Sequence, residues 1–235
     1  MALLEVRNVT AGYGDTEILR NVSMQVDAGE MVTIIGPNGA GKSTVMKTVF
    51  GLLHPRSGSV HFNGEDISAL QPYQIVERGM CYVPQVANIF TELTVVENLE
   101  MGAFLSRKAD IEARMEHIFE YFPRLKERQH TAAGFMSGGE QQMLTLCRTL
   151  MGDPDLAIID EPTEGLAPKI VAQVGQYLRT LKERGVSVLL IEQKLTIAMD
   201  VSDRTLVMGH GSIVFDGTPA QLRSDAAVRK QWLEV

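Results

Sequence analysis

Three groups of residues in this chain of 235 have types and spacings that suit phosphate chemistry. The first is Gly36, Pro37, Asn38, Gly39, Ala40, Gly41, Lys42, Ser43 and Thr44. It fits G-x-x-x-x-G-K-[ST] and follows the apolar run Met31–Ile35. Strand, glycine-rich loop and helix, in that order, are the context the pattern requires. Phosphates are crowded acceptors. Glycines let successive backbone N–H groups turn inward around them, and a helix N-terminus adds a favourable dipole. Lys42 can reach the β and γ phosphates as a compact cation, and the Ser43 hydroxyl can ligate Mg²⁺. A glycine-rich stretch alone could be only a turn; the full spacing after a strand points to a nucleoside triphosphate.

The second group is Asp160 and Glu161, at the end of the apolar run Leu156–Ile159. Ligands in open α/β sheets sit at strand ends. Asp160 is placed to hold Mg²⁺, through water, beside Ser43. Glu161 is placed to orient or deprotonate a water attacking a γ-phosphate in line. The plain alternative is a strand exit with two solvated acids, which loses weight downstream of a complete phosphate loop. The third group is Ser137, Gly138, Gly139 and Glu140, opening a helix that runs to about Leu150. Ser137 and Glu140 have capping-box spacing, so a well-capped helix is the bland reading. It is compatible with a helix N-terminus whose glycines let a phosphate approach closely. Two phosphate cradles in one chain suggest a site shared in a dimer, each molecule giving half, closed by two-fold symmetry.

The elements that must carry these groups follow from the patterning. Leu3–Val9 and Ile18–Val26 read as strands, broken by Gly12, Gly14 and Gly29. A helix runs from Ser43 to Gly51, and Ser59–Phe62 with Asn63-Gly64 suggests a hairpin. A short helix from Pro72 and a strand Met80–Val83 follow. Beyond Gln85 the character changes. Thr94 and Glu97 have capping-box spacing, and helical patterns extend through Phe104 and from Ala109 to Phe122, where Pro123 breaks the run. This reads as a helical insertion between strands. Alternation of short apolar strands and helices then resumes: Ile170–Arg184 is a helix, Val186–Ile191 a buried strand, and Arg204–Met208 with Ser212–Phe215 a hairpin. That alternation predicts an α/β fold with a parallel or mixed sheet. Thr218 with Pro219 opens a helical tail to Val235.

Bulk properties narrow the function. The chain is 45% hydrophobic, enough for a proper core. A formal charge of −7 is not the footprint of a nucleic-acid-binding domain, so no nucleic-acid partner is expected. Cys81 and Cys147 show neither metal-ligand nor disulfide spacing and read as reduced core thiols. No apolar segment approaches the roughly 18–20 residues of a spanning helix, and Glu5 and Arg7 interrupt the only N-terminal apolar run. The expectation is a soluble chain from a reducing compartment, with any membrane role supplied by a partner.

With these motifs in order, the chain resembles the ATP-binding-cassette (ABC) ATPases over almost its full length. Gly36–Thr44 looks like the Walker A loop, Ile158–Glu161 like Walker B, and Met136–Gln142 like the signature usually written LSGGQ. The resemblance implies a P-loop NTPase core with a mixed sheet, an antiparallel β subdomain and a helical subdomain. It implies a single ABC domain over residues 1–235, its core being 1–86 and 136–235 and its helical insertion about 87–135. Tyr13 then matches the aromatic residue that stacks on adenine, although a turn tyrosine is otherwise the better reading. Gln85 matches the glutamine that touches Mg²⁺ and the attacking water. The cofactors implied are ATP and Mg²⁺.

Three positions depart from the family pattern. Gln193 stands where a switch histidine is usual; it can hydrogen-bond a γ-phosphate but carries no proton near neutral pH. Ala167 replaces an aspartate, and Glu140 replaces the signature glutamine. With Glu192-Gln193 and Gly165–Pro168, these departures resemble the branched-chain (hydrophobic) amino-acid uptake group, more narrowly the second of its two ATPase subunits. That implies an importer motor at the cytoplasmic face of the inner membrane, docked through the helical insertion onto transmembrane permease subunits. It would pair as a homodimer or with a second ABC ATPase, and be served indirectly by an extracytoplasmic binding protein. A urea or amide importer is the nearest alternative. A soluble ABC protein acting on DNA or ribosomes is disfavoured by the single cassette and the acidic balance. A different phosphate-loop kinase or GTPase would leave Ser137–Glu140 and Gln85 unexplained.

Overall fold

The computed structural model describes residues 2–86, 88–104 and 111–233. Two sheets and a layer of helices are built in chain order. β1 (Ala2–Tyr13) and β2 (Thr16–Asp27) are long antiparallel partners, and β4 (Ser57–Phe62) and β5 (Glu65–Asp66) complete a four-stranded antiparallel sheet in the order β2-β1-β4-β5. The second sheet has six strands in the order β10-β9-β3-β8-β7-β6. β3 (Met31–Ile35), β6 (Met80–Val83), β7 (Leu156–Asp160), β8 (Ser187–Ile191) and β9 (Arg204–Gly209) are mutually parallel, and β10 (Ser212–Gly217) closes the edge antiparallel to β9. β3, β7 and β8 are buried at every position. That is why they read as unbroken apolar runs rather than alternating ones.

The helices are α1 (Lys42–Val49), α2 (Pro72–Val76), α3 (Val95–Gly102), α4 (Ile111–Tyr121), α5 (Pro123–Glu127), α6 (Gly138–Leu150), α7 (Pro168–Glu183), α8 (Leu195–Val201), α9 (Pro219–Ser224) and α10 (Ala226–Val228). Capping boxes in which both reciprocal bonds form fix the starts of α3 (Thr94 with Glu97), α6 (Ser137 with Glu140) and α9 (Thr218 with Gln221), and Gln71 pairs with Gln74 in the same way at the start of α2. The antiparallel sheet, α1 and α2 enclose one apolar cluster with one face of the six-stranded sheet. On the other face, α3 to α7 close a second cluster, in which Val95, Leu99 and Ile118 of the insertion pack with Val83, Ile159 and Leu190 of the sheet.

Several expectations shift. β1 does not break at Gly12 but runs on to Tyr13; a side chain at Gly12 would meet the Thr16 carbonyl at 2.0 Å, so the glycine serves close strand approach. Pro123 ends α4 but also opens α5 as its first residue. α7 begins at Pro168, ahead of Ile170, and α8 was not foreseen. Ala109, expected to begin a helix, and Val235, expected to end the tail, lie outside the described residues.

Candidate functional site

Four neighbouring strands of the parallel sheet deliver the site. In the spatial order β3-β8-β7-β6, their carboxyl ends lead to the phosphate loop, to Gln193, to Asp160 with Glu161, and to Gln85. Parallel strands place all these exits on one edge, where α/β proteins bind ligands.

The phosphate loop is held open by backbone conformation. Gly39 and Gly41 have φ of 80° and 107°, which side chains beyond glycine rarely adopt. A Cβ at Gly36 would lie 2.2 Å from the Met208 carbonyl oxygen of β9. No side chain caps α1, so the first-turn N–H groups remain available to an anion. Lys42 is 5% exposed. Its Nζ donates to the carbonyls of Gly36 (2.8 Å) and Pro37 (3.1 Å) and stands 4.0 Å from Glu161 Oε1. Burial lowers its pKa, partly offset by the charges of Glu161 and Asp160. An ammonium this poorly solvated gains from any phosphate that arrives.

The two acids are handled differently. Tyr82 Oη donates to Asp160 Oδ2 at 3.1 Å, and Ser43 Oγ donates to Oδ1 at 3.4 Å. Burial raises the Asp160 pKa despite those bonds. A cation placed between Asp160 and Ser43 would restore the charge balance, and one carboxylate, one hydroxyl and phosphate oxygens are a donor set that suits Mg²⁺. Among the described residues no cluster of three His, Cys, Asp or Glu side chains could hold a metal unaided. Glu161 is 6% exposed and has φ of 47°, an uncommon conformation for a long side chain. Its Oε2 accepts from Gln193 Nε2 at 2.7 Å and Gln85 Nε2 at 3.1 Å. Two neutral donors thus fix the direction of the carboxylate without supplying a counter-charge.

Lys42, Ser43, Gln85, Glu161 and Gln193 border one cavity of about 450 Å³, with Tyr13 and Asn38 on its wall, and Asp160 lies behind that lining. Tyr13 ends β1, is 48% exposed, and has the Lys47 ammonium 5.9 Å from its ring centre. A ring so displayed beside a phosphate loop has the position and apolar face to stack on a base. Ser137, Gly138, Gly139 and Glu140 do not line that cavity. Ser137, Gly139 and Glu140 border a separate pocket of about 330 Å³ with Leu166 and Ala167. Within one chain, therefore, the two phosphate-type features stay apart.

Some contributors escaped the sequence reading. Tyr82 was legible only as a strand residue, yet it holds Asp160. Glu164 accepts a bond from Gln85 and reaches the cavity. Glu192 is 2% exposed and ties two loops together: its carboxylate accepts from Thr163 Oγ1 (2.7 Å) and from the N–H groups of Gln193 (3.2 Å) and Lys194 (3.3 Å). The Lys47 position, four residues after Ser43 on α1, was the one available signal for a second cation facing Tyr13.

Residues 19–164 match the family model described as ABC transporter. The chain is 42% identical over 98% of its length, and 99% of the relative's, to the high-affinity branched-chain amino acid transport ATP-binding protein BraG of Pseudomonas aeruginosa. It is 32% identical, over 99% of its length and 98% of the relative's, to the lipopolysaccharide export system ATP-binding protein LptB of Haemophilus influenzae. Among solved structures, a nucleotide-free ATP-binding cassette from an ABC transporter superposes with a TM-score of 0.85 at 28% identity, covering 100% of this chain and 99% of that one.

Proposed function

The chain belongs to the ABC transporter family and hydrolyses ATP, and from that premise we propose that it is a motor subunit of an importer for branched-chain amino acids. Members of the family dimerise and work with transmembrane permease partners. The observation that carries the catalytic part is Glu161, fixed by Gln193 and Gln85 beside Lys42 and the phosphate loop. What supports the substrate is the 42% identity to BraG over nearly the whole of both chains.

In this reading Lys42 and the first-turn N–H groups of α1 bind the phosphates, and Tyr13 stacks on adenine. Ser43, Asp160 and Gln85 would hold Mg²⁺, which when bound neutralises charge building on the phosphate oxygens. Glu161 takes the proton of the attacking water, while Gln193 and Gln85 keep its carboxylate aimed. Ser137, Gly138, Gly139 and Glu140 complete the site of a second cassette, either another copy or a related ATPase. Residues 1–235 act as one cassette whose insertion, about 87–135, docks onto the permease at the inner face of the cell membrane. A binding protein on the other side acts on the permease, not on this chain. Among the described residues no helix is long and apolar enough to cross a membrane.

A second reading, an export motor, is favoured by the similarity to LptB. Uptake of labelled leucine and isoleucine by cells with and without the gene separates the two. Import predicts loss of uptake, restored by the intact gene and not by a Lys42→Ala copy. Unchanged uptake of both amino acids, or loss of urea uptake instead, overturns the substrate assignment.

A further inference from the structure

The start of α6 contains an electrostatic conflict. A capping box needs only an acceptor at its fourth residue, and glutamine supplies one without charge. Here Glu140 does the capping: its Oε2 accepts from the Ser137 N–H (2.9 Å) and the Ser137 hydroxyl (2.9 Å). Burial opposes its charge, but those bonds, with Arg128 and Arg124, outweigh it and hold the carboxyl below the ordinary glutamate range. The group is a carboxylate at neutral pH. A full negative charge in the first turn satisfies the helix dipole from within, and so weakens the field that would draw a phosphate to Ser137 and Gly139.

Two guanidiniums stand against that charge. Arg124 Nε lies 3.6 Å from Glu140 Oε1, and Arg128 Nη1 lies 3.9 Å from Oε2. Both belong to the end of the helical insertion, Arg124 on α5 and Arg128 as its C-terminal cap. Arg128 Nη1 also donates to the Phe135 carbonyl at 3.2 Å, which pins it beside the segment leading to Ser137. Arg124 is shared with Glu127, at 2.5 Å, and its side chain is 62% exposed. Glu140 is the more buried partner of both pairs, its side chain 16% exposed, so the guanidiniums supply counter-charge that water supplies poorly there. Arg124 also borders the pocket that Ser137, Gly139 and Glu140 line.

We propose that Arg124 and Arg128 are positioning residues that cancel the charge of Glu140, allowing the Ser137–Glu140 turn to receive the phosphates of a nucleotide held by a second cassette. This rests on the shared-site reading above. An amide at Glu140 would need no such compensation, and in this chain the arginines and the glutamate form one unit.

The test uses full-length chains carrying Glu161→Gln, in which ATP-driven dimer formation is followed by light scattering. Adding Arg124→Ala with Arg128→Ala should raise the ATP concentration needed for dimerisation about tenfold at low salt, and by much less near 1 M salt, where the Debye length is about 3 Å. Adding Glu140→Gln to the same chain should restore dimerisation to within about twofold, because the charge is gone and the cap acceptor remains. Arg124→Lys with Arg128→Lys should keep most of the wild-type response. Thermal melts and single-chain binding of a fluorescent nucleotide, reading the phosphate loop alone, should match across the set. Arginine substitutions that leave the ATP titration unchanged, or a loss that Glu140→Gln does not restore, overturn the charge compensation. A Glu161→Gln chain that stays monomeric at every ATP concentration overturns the shared site itself, and the proposal with it.

Discussion

Gln193 Nε2 donates to Glu161 Oε2 at 2.7 Å, so the second residue past β8 aims the residue after β7. Where an imidazole would bring a titrating proton to this place, the amide brings a permanent donor. Removing it by Gln193→Ala should lower kcat by about 10- to 100-fold with little change in KM for ATP, since one orienting bond to the base is lost while the phosphate contacts stay. Gln193→His should hold or raise turnover, and should introduce a kcat dependence near the imidazole pKa, about 6.5. Phosphate release measured from pH 6 to 8 checks both; a large loss in the histidine variant means that the amide has a role of its own.

Glu161→Gln removes the proposed proton acceptor and keeps the shape. Turnover should fall by at least about 100-fold, the scale of a lost general base, while nucleotide binding persists. Filter-binding of labelled ATP alongside phosphate release measures the two separately. Wild-type turnover in this variant would falsify the role given to Glu161.

Asp160 carries a stability cost that its proposed part in holding Mg²⁺ requires. Burial raises its pKa in the folded chain, so the folded state holds the proton more tightly than the unfolded one. Its contribution to stability is fully present below the unfolded value, about 3.9, and is lost as pH rises through the folded value. At neutral pH the ionised group is buried at a cost. Asp160→Asn should therefore raise the melting temperature of the nucleotide-free chain at pH 7, by about 2–4 °C for each kcal/mol relieved, while abolishing Mg²⁺-dependent turnover. The stabilisation should shrink when the melt is repeated at progressively lower pH.

Two glycines of the phosphate loop should respond differently to alanine. At Gly39 the space is open and only the positive φ of 80° resists, a cost of about 1–3 kcal/mol. At Gly36 the new methyl would collide with the Met208 backbone, forcing β9 and the loop apart. Urea denaturation should rank Gly36→Ala below Gly39→Ala in stability; the reverse order would show that the strand yields easily.

The strands and most helix starts were legible because their causes are local: unbroken apolar runs for β3, β7 and β8, and reciprocal capping pairs at Thr94, Ser137 and Thr218. α8 was not, because Lys194 before it makes no side-chain cap and its apolar residues continue those of β8 across only three positions. The phosphate loop and the Asp160-Glu161 pair announced themselves by spacing. The convergence of Gln85, Glu161 and Gln193 did not, since it depends on β6, β7 and β8 lying side by side, a property of strand order rather than of any segment. Glu192 was hidden for a related reason: its partner Thr163 lies on another loop, and nothing near it in sequence marks the acid as buried.

The apolar cluster that joins Val95, Leu99 and Ile118 to Val83, Ile159 and Leu190 has a mechanical consequence. Close-packed interiors compress little, so a push on the outer side of α3 is transmitted to the strand ends that carry Gln85 and Glu161. In the proposed motor, the insertion would then serve as a lever with its fulcrum inside the core.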